Sequence, residues 1–145
     1  MALQKLNETI FYVLEKSIKT YRQFAQRNIN AAGKDITIDQ WLVLKSLYDL
    51  PDITQQQIAE MVFKDYASVT RMIELLVKKG FIKRAMHPTD RRRFLLSVTK
   101  TGEKVITEPE GTIKSNRAKA LKGISKKEIE QMNKTLNKII INCTQ

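Results

Sequence analysis

The sequence predicts a mainly helical α+β fold, a winged helix-turn-helix with N- and C-terminal dimerisation helices. Three observations carry this prediction. Apolar residues recur every three or four positions in both terminal segments, which is the period of one helix face. Short helical segments opened by capping boxes lie between them, and the period then changes to two over residues 82–98, which indicates a β-hairpin. We expect a single domain over 1–145, with the winged helix-turn-helix lobe at about 36–99 and the dimerisation helices at about 1–30 and 100–145.

The first helix is predicted over residues 3–29, where the apolar positions form one long stripe. A straight helix of that length measures about 40 Å, so it would extend beyond a compact lobe. Residues 28–35, with Gly33, form the loop that ends it. The stripe consists of Leu3, Leu6, Ile10, Leu14, Ile18, Tyr21, Phe24 and Ala25.

Local sequence signals predict where the helices of the lobe begin or end. Thr37 with Gln40 forms a capping box that opens one helix, and Pro51 stops that helix. Thr54 with Gln57 forms a second capping box, which opens the next helix. A third helix follows Phe63-Lys64-Asp65-Tyr66 and is closed by the C-terminal cap Gly80. Short helices joined by a tight turn form a helix-turn-helix.

Alternating residues after the third helix predict two strands of a hairpin, here called the wing. Pro88-Thr89-Asp90 supplies the turn between the strands. The alternating positions are Ile82, Arg84 and Met86 in the first strand and Phe94, Leu96 and Val98 in the second.

The C-terminal segment is predicted as helix with an interruption near residue 108, caused by Pro109 and Gly111. Ser125 and Glu128 form a further capping box that opens the last helix. Both terminal helices carry full apolar stripes, although the lobe already closes on itself. We therefore expect them to pack across a two-fold axis in a homodimer. The alternative is a monomer in which they fold back on their own core.

Positive charge is concentrated in the centre of the chain, which has a net charge of +11. Residues 64–93 carry nine Lys and Arg against three acidic residues, whereas residues 1–63 carry seven of each sign. The excess falls on a helix, a strand and a turn that would share one face, and such a face favours DNA through counterion release. A second excess over 114–138, eight against two, suits a solvated helix face or a binding surface equally well.

The candidate DNA contacts lie on the third helix, at the start of the second helix and on the wing. Arg71 is the best candidate to bind a guanine, because its guanidinium can engage O6 and N7 together. Asp90 and Arg92 have opposite charges two residues apart, so a pair between them could fix the shape of the wing beside a narrow minor groove. The full set is Gln55, Gln56, Lys64, Tyr66, Ser68, Thr70, Arg71, Arg84, Asp90, Arg91, Arg92 and Arg93.

Catalytic and metal chemistry find little support in the sequence. His87 is the only histidine and Cys143 the only cysteine, so neither a Cys/His arrangement nor a His/Cys metal cluster can be nominated. We expect no enzyme, no cofactor and no metal site. His87 is expected to be a surface residue or an extra phosphate contact. Cys143 is expected to pack or to be passively exposed, rather than to act as a redox switch.

Membrane-spanning runs, a secretory signal and the cysteine count bear on where the protein is located. No stretch approaches ~20 continuous apolar residues, and the N-terminus lacks a basic region followed by an apolar run and a cleavage site. A lone cysteine suits a reducing compartment. We expect a cytoplasmic protein with no membrane partner.

The wing residues resemble those of the MarR family of bacterial and archaeal transcription regulators. Residues 90–99, DRRRFLLSVT, are similar to the family's pattern of Asp-x-Arg, five residues, then Leu-Thr, with Val98 in place of the usual Leu. Residues 53–59, ITQQQIA, and 69–71, VTR, followed by Leu76 and residues 79–84, KGFIKR, also look like the family's helix-turn-helix and strand entry. The resemblance covers almost the whole chain.

The resemblance implies a repressor-like homodimer that binds double-stranded, pseudo-palindromic promoter DNA. Two recognition helices would enter successive major grooves and two wings the flanking minor grooves. Arg92 matches the Arg of the Asp-x-Arg motif and becomes the expected minor-groove contact, with Asp90 orienting the loop. Arg91 and Arg93 are then expected to meet phosphates.

Many members of the family release DNA when a small, often phenolic, ligand binds between the dimer helices and the DNA-binding lobe. Tyr12, Trp41 and Tyr48 are the candidates to line such a space, and ordinary core packing is the other interpretation of these aromatic residues. A second class of function also stays open, in which the winged helix binds RNA, protein or an anionic surface instead of operator DNA.

Overall fold

The computed structural model describes residues 2–145. The helices are α1 (Ile10–Ala31), α2 (Ile38–Asp49), α3 (Gln55–Met61), α4 (Tyr66–Lys78), α5 (Lys100–Thr107), α6 (Glu110–Ala120) and α7 (Lys126–Cys143). Strands β1 (Ile82–Met86) and β2 (Phe94–Val98) form an antiparallel hairpin between α4 and α5. The predicted fold class, mainly helical with a small winged hairpin, is confirmed.

The first helix begins later than predicted. A 3₁₀ turn at Leu6–Glu8 precedes α1, and Thr9 between them is extended, with φ −75° and ψ 144°. The Thr9 hydroxyl donates a hydrogen bond to the Leu6 carbonyl oxygen at 2.9 Å. A local bond of this kind competes with a continuous helix, which explains why the apolar stripe extends further than the helix.

The helix ends in the rest of the chain match their local signals. Thr37, Thr54 and Ser125 each form a complete capping box, in which the hydroxyl accepts a backbone N–H three residues on. Gly80 has φ +81°, a conformation that glycine adopts without strain, and it follows the end of α4. The interruption predicted near residue 108 separates α5 from α6.

One core joins the lobe to its flanking helices. Its fully buried side chains come from α2, α3, α4 and β1, and include Val43, Leu44, Ile58, Val69, Ile73, Leu76 and Ile82. Ile29 of α1 and Ile106 of α5 are buried in the same cluster. Each such side chain contributes about 1.5–3 kcal/mol when it leaves water, so the wing and α3–α4 rest on a continuous apolar base.

A buried polar contact fixes α6 against α1. Asn116 is 2% exposed, and its side-chain oxygen accepts a hydrogen bond from the Asn28 side-chain amide at 2.8 Å. Its own amide donates to the Ala25 carbonyl oxygen at 3.4 Å. Because both ends of the amide are satisfied, the pair sets the register of the two helices without an unpaired buried group.

The terminal helices expose apolar side chains in the single protomer. No residue of α7 is buried, and Met132 and Ile140 are more than half exposed. The first half of α1 is similar, with Ile10, Phe11 and Ile18 also more than half exposed. Several exposed large apolar side chains on one helix are typical of an association surface.

Candidate nucleic-acid interface

A cleft of about 600 Å³ lies between the wing and the start of α3. Its cationic lining comes from the wing, while the loop before α3 contributes one carboxylate, that of Asp52. Half of the predicted DNA contacts line this one cleft: Gln55, Gln56, Tyr66, Arg84, Arg92 and Arg93. The excess of guanidinium groups over carboxylates gives the cleft a positive charge that attracts anions.

The strand register explains why Arg84 faces this cleft. Arg84 pairs with Leu96, and Met86 pairs with Phe94, in the antiparallel ladder. Alternate residues share a face of a strand, so Arg84 and Phe94 lie on the same side of the wing. The Arg84 guanidinium carbon is 5.3 Å from the centre of the Phe94 ring, within the range of a cation–π contact. Sequence reasoning missed Phe94, although its alternation with Arg84 was visible.

The wing turn is shaped by Asp90, but not through the predicted side-chain pair. The Asp90 Oδ1 atom accepts a hydrogen bond from the Arg92 backbone N–H at 3.0 Å. Within residues 2–145, no ion pair joins Asp90 to the Arg92 guanidinium. A short carboxylate reaches the backbone two residues on more easily than it reaches a long side chain. The Arg92 guanidinium therefore lines the cleft instead of folding back on the turn.

His87 is a second organiser of the turn. Its Nδ1 atom accepts the backbone N–H groups of Thr89 and Asp90, at 3.3 and 3.1 Å. The backbone N–H of His87 donates to the Arg93 carbonyl oxygen at 3.1 Å. The residue is half-buried and lines the cleft. His87, expected to be a surface residue or a phosphate contact, therefore stabilises the turn, and its position beside Pro88 did not predict this.

Asp65 caps the N-terminus of α4, the candidate recognition helix. Its Oδ1 atom accepts the Ser68 backbone N–H at 2.6 Å. This bond, followed by one to the Ser68 hydroxyl, holds the pKa of the Asp65 carboxyl below its ordinary value, with smaller help from Arg71 and Lys64. The Arg71 guanidinium is exposed and donates to Ser68 Oγ at 3.3 Å. The first turn of α4 therefore holds Arg71 close to the helix start, on the surface.

Thr70 and Gln55 connect α3 to α4. The Thr70 hydroxyl donates to the Tyr66 carbonyl oxygen at 2.9 Å and accepts a hydrogen bond from the Gln55 side-chain amide. Both residues are half-buried. Their polar groups already have partners inside the protein, and these bonds hold the two helices together.

Lys64 is engaged away from the cleft. Its Nζ atom lies 3.0 Å from Asp39 Oδ2, while Arg22 of α1 pairs with the other oxygen of the same carboxylate. Asp39 therefore bridges the first helix and the turn before α4. Arg91 is exposed at the wing turn and does not line the cleft.

The three aromatic ligand candidates have different surroundings in the protomer. Trp41 is 8% exposed in the core, and its indole N–H donates to the Ile106 carbonyl oxygen at 3.0 Å. Tyr48 is exposed, with the Lys45 ammonium 5.6 Å from its ring centre. Tyr12 lines a groove of about 830 Å³ along α1. Core packing accounts for Trp41, and Tyr12 borders a mainly apolar groove.

Neither a membrane-spanning helix nor a metal cluster occurs within the described range. Among residues 2–145, no helix combines the length and apolar character needed to span a bilayer. The same residues contain no cluster of three or more His, Cys, Asp or Glu side chains arranged to hold a metal ion.

Comparison with known proteins bears on the fold and on the family. The MarR family model matches residues 36–94, which include α2 to the start of β2. A protein of unknown function from Listeria innocua Clip11262 is 31% identical, with 92% of this chain and 91% of the other covered and a TM-score of 0.70.

Two further structures share the fold at lower identity. The S. aureus MepR–DNA complex is 24% identical, covering 92% of this chain and 98% of the other, with a TM-score of 0.81. Bordetella bronchiseptica BpsR, whose DNA binding is regulated by 6-hydroxynicotinic acid, is 20% identical, covering 95% and 97%, with a TM-score of 0.84. The chain therefore belongs to the MarR family, whose members are transcription regulators and not enzymes.

Proposed function

We propose that this protein is a cytoplasmic, homodimeric repressor that binds a specific pseudo-palindromic promoter site. The observation that carries the proposal is the convergence of Arg84, Arg92 and Arg93 with the start of α3 on one cleft. A cleft lined by cations and amide side chains offers phosphate contacts, which supply affinity and orientation.

Sequence preference in this proposal comes from α4. Arg71 is exposed near the helix start, and Tyr66 and Ser68 lie on the same first turns. A guanidinium at that position can form two hydrogen bonds with a guanine in the major groove. Arg92, at the wing, would then enter the neighbouring minor groove, where a narrow groove attracts cations.

The homodimer is supported by the apolar surface of the terminal helices. Met132 and Ile140 of α7 and Phe11 and Ile18 of α1 are exposed in the protomer. Two copies that bury these side chains against each other would present two wings to one duplex, with half-sites about 10 bp apart. Sedimentation equilibrium is expected to give twice the protomer mass of 16.8 kDa; a protomer-sized species at all concentrations would contradict the dimer.

DNA release by a small aromatic ligand is supported by the groove along α1. It is lined by Tyr12, Tyr21 and Phe24 and by the cations Lys16 and Arg27, a combination that suits an aromatic acid. BpsR, which shares the fold, responds to such a compound. 6-Hydroxynicotinic acid is a suitable first probe. We expect it to weaken operator binding by the wild type, and we expect this weakening to be smaller in Arg27→Ala. Unchanged operator affinity across a panel of aromatic acids would contradict a ligand of this class.

The main experiment selects duplexes from a random-sequence library with the purified protein. The enriched sequences are expected to share two inverted half-sites. Arg71→Ala should lose ~1–3 kcal/mol of binding free energy and relax the base preference at one position of each half-site. Arg92→Ala should weaken binding and reduce its salt dependence. Arg117→Ala, which removes an exposed arginine from α6, is the matched control and should leave binding unchanged.

Two further results would decide between functions. Transcription in vitro from a promoter that carries the selected site should fall when the protein is added, as expected of a repressor. If no sequence is enriched, and Arg71→Ala and Arg92→Ala bind duplexes as the wild type does, operator recognition is wrong and binding to RNA, protein or an anionic surface becomes the working hypothesis.

A further inference from the structure

The wing turn is closed by hydrogen bonds from backbone N–H groups to one ring nitrogen of His87. His87 Nδ1 lies 3.3 Å from the Thr89 backbone nitrogen and 3.1 Å from the Asp90 backbone nitrogen, and both N–H groups point to it. The Thr89 hydroxyl lies 3.3 Å from the same atom. An imidazole nitrogen accepts only when it is unprotonated, so the neutral ring must carry its proton on Nε2.

The two bonds to His87 are part of a short chain of contacts that ends at the arginines. Asp90, held by His87, accepts the Arg92 N–H at its carboxylate and the Arg93 N–H at its carbonyl oxygen. The Arg93 carbonyl oxygen in turn accepts the His87 backbone N–H at 3.1 Å. The turn is therefore closed on itself, and the two side chains that leave it for the cleft are those of Arg92 and Arg93.

We propose that neutral His87 is a positioning residue of the DNA-binding wing, and that protonation of its ring opens the turn and weakens specific duplex binding. The proposal rests on the proposed function for its DNA readout. A protonated ring presents N–H donors on both nitrogens, so the N–H groups of Thr89 and Asp90 lose their acceptor and face a cation.

The charged and titratable groups around His87 come from several elements. Those that line the same cleft or contact the turn are Asp52, Tyr66, Arg84, Asp90, Arg92 and Arg93. Protonation would add one more positive charge to this set, which by itself strengthens attraction to phosphates on any duplex. The two effects have opposite signs, because opening of the turn displaces Arg92 and Arg93 from the cleft and weakens binding, most strongly at the operator, where the wing also enters the minor groove. A selected operator and a mixed-sequence duplex of equal length separate them.

The test compares wild type, His87→Asn and His87→Ala at about pH 7.5 and about pH 5.5, a range in which histidine changes charge. Asparagine offers an oxygen close to the position of Nδ1 and does not titrate, whereas alanine offers no acceptor. At the higher pH, His87→Asn should bind the operator as the wild type does, and His87→Ala should bind about tenfold more weakly. At the lower pH the wild type should fall towards His87→Ala while His87→Asn keeps its affinity.

The proposal is overturned if His87→Ala binds the operator as tightly as the wild type, or if wild type and His87→Asn share one pH profile. A readout without DNA separates this from failure of the proposed function. In the free protein, the amide resonances of Thr89 and Asp90 should move with the titration of the His87 ring, and in His87→Asn they should not. If these amide resonances do not change as the His87 ring titrates, the proposed opening of the turn is wrong. If the amide resonances change with the ring titration but the protein binds no duplex, the role of His87 in the turn is supported and the proposed function is wrong.

Discussion

Gly102 lies in the first turn of α5 and has no room for a side chain. A Cβ atom there would lie 2.2 Å from the Phe81 carbonyl oxygen and 2.8 Å from Val98 Cγ1, whereas ordinary contact begins at 3.4 Å. The Phe81 oxygen cannot easily move away, because it accepts the Thr99 backbone N–H at 3.0 Å. Overpacking of this kind costs about 3 kcal/mol at the upper end of its usual range, and alanine regains about 1 kcal/mol of helix propensity. Gly102→Ala should therefore lower the free energy of unfolding by about 2 kcal/mol.

Gly111 provides the matched control, because it lies in α6, its φ is not positive, and a Cβ atom added to it would have no neighbour within 4 Å. Gly111→Ala should raise the free energy of unfolding by up to about 1 kcal/mol. Urea denaturation of both variants at one fixed protein concentration measures the difference, since the stability of an oligomer depends on concentration. If Gly102→Ala is as stable as Gly111→Ala, the close approach of α5 to the base of the wing is wrong.

The remaining predictions concern single side chains. Phe63 is 93% exposed at φ 59°, so Phe63→Gly should stabilise the fold by about 0.5–1 kcal/mol by relieving backbone strain, whereas Phe63→Ala should not; equal stability of the two variants in thermal unfolding would argue against strain. Because the pKa of Asp65 is lowered by its bonds to Ser68, its carboxylate stabilises the fold above its unfolded pKa, and this contribution is lost as the pH falls through the folded pKa. Asp65→Asn keeps a capping oxygen, so its stability should fall less than that of the wild type on acidification, and parallel pH curves would contradict the cap. Trp41→Phe leaves the buried Ile106 carbonyl oxygen without its donor and should cost about 1–3 kcal/mol in urea denaturation; a loss below that range would mean that the oxygen finds another partner.

Features that depend on neighbours in sequence were predictable. The capping boxes at Thr37, Thr54 and Ser125 need only a hydroxyl and a Gln or Glu three residues on, and all three form. The wing followed from a period of two and a turn containing Pro88. The apolar stripe predicted a first helix over residues 3–29, but residues 3–9 lie outside α1, because the Thr9 hydroxyl forms a local hydrogen bond with the Leu6 carbonyl oxygen.

Features that depend on distant residues could not be predicted in the same way. Lys64 pairs with Asp39, which no local pattern brings together. The burial of Trp41 depends on a carbonyl 65 residues away. In the wing, the path of the turn brings the Asp90 carboxylate to the Arg92 backbone N–H and not to the Arg92 guanidinium. The same path brings His87 Nδ1 to the Asp90 backbone N–H. Residue types predicted a cationic surface, but tertiary geometry decided which of the candidate residues line the cleft.

The most direct test of DNA binding by the cleft removes three of its cations and compares the result with removal of three cations elsewhere. The cleft variant is Arg84→Gln/Arg92→Gln/Arg93→Gln, and the control is Lys122→Gln/Lys126→Gln/Lys127→Gln, from the exposed segment around the start of α7. Affinity for the selected duplex is measured as a function of salt. If all three arginines contact phosphates in each protomer, the cleft variant should lose affinity and reduce the magnitude of the salt slope by about 3 per protomer, while the control stays close to the wild type. Equal losses in the two variants would mean that net charge, and not this cleft, binds the DNA.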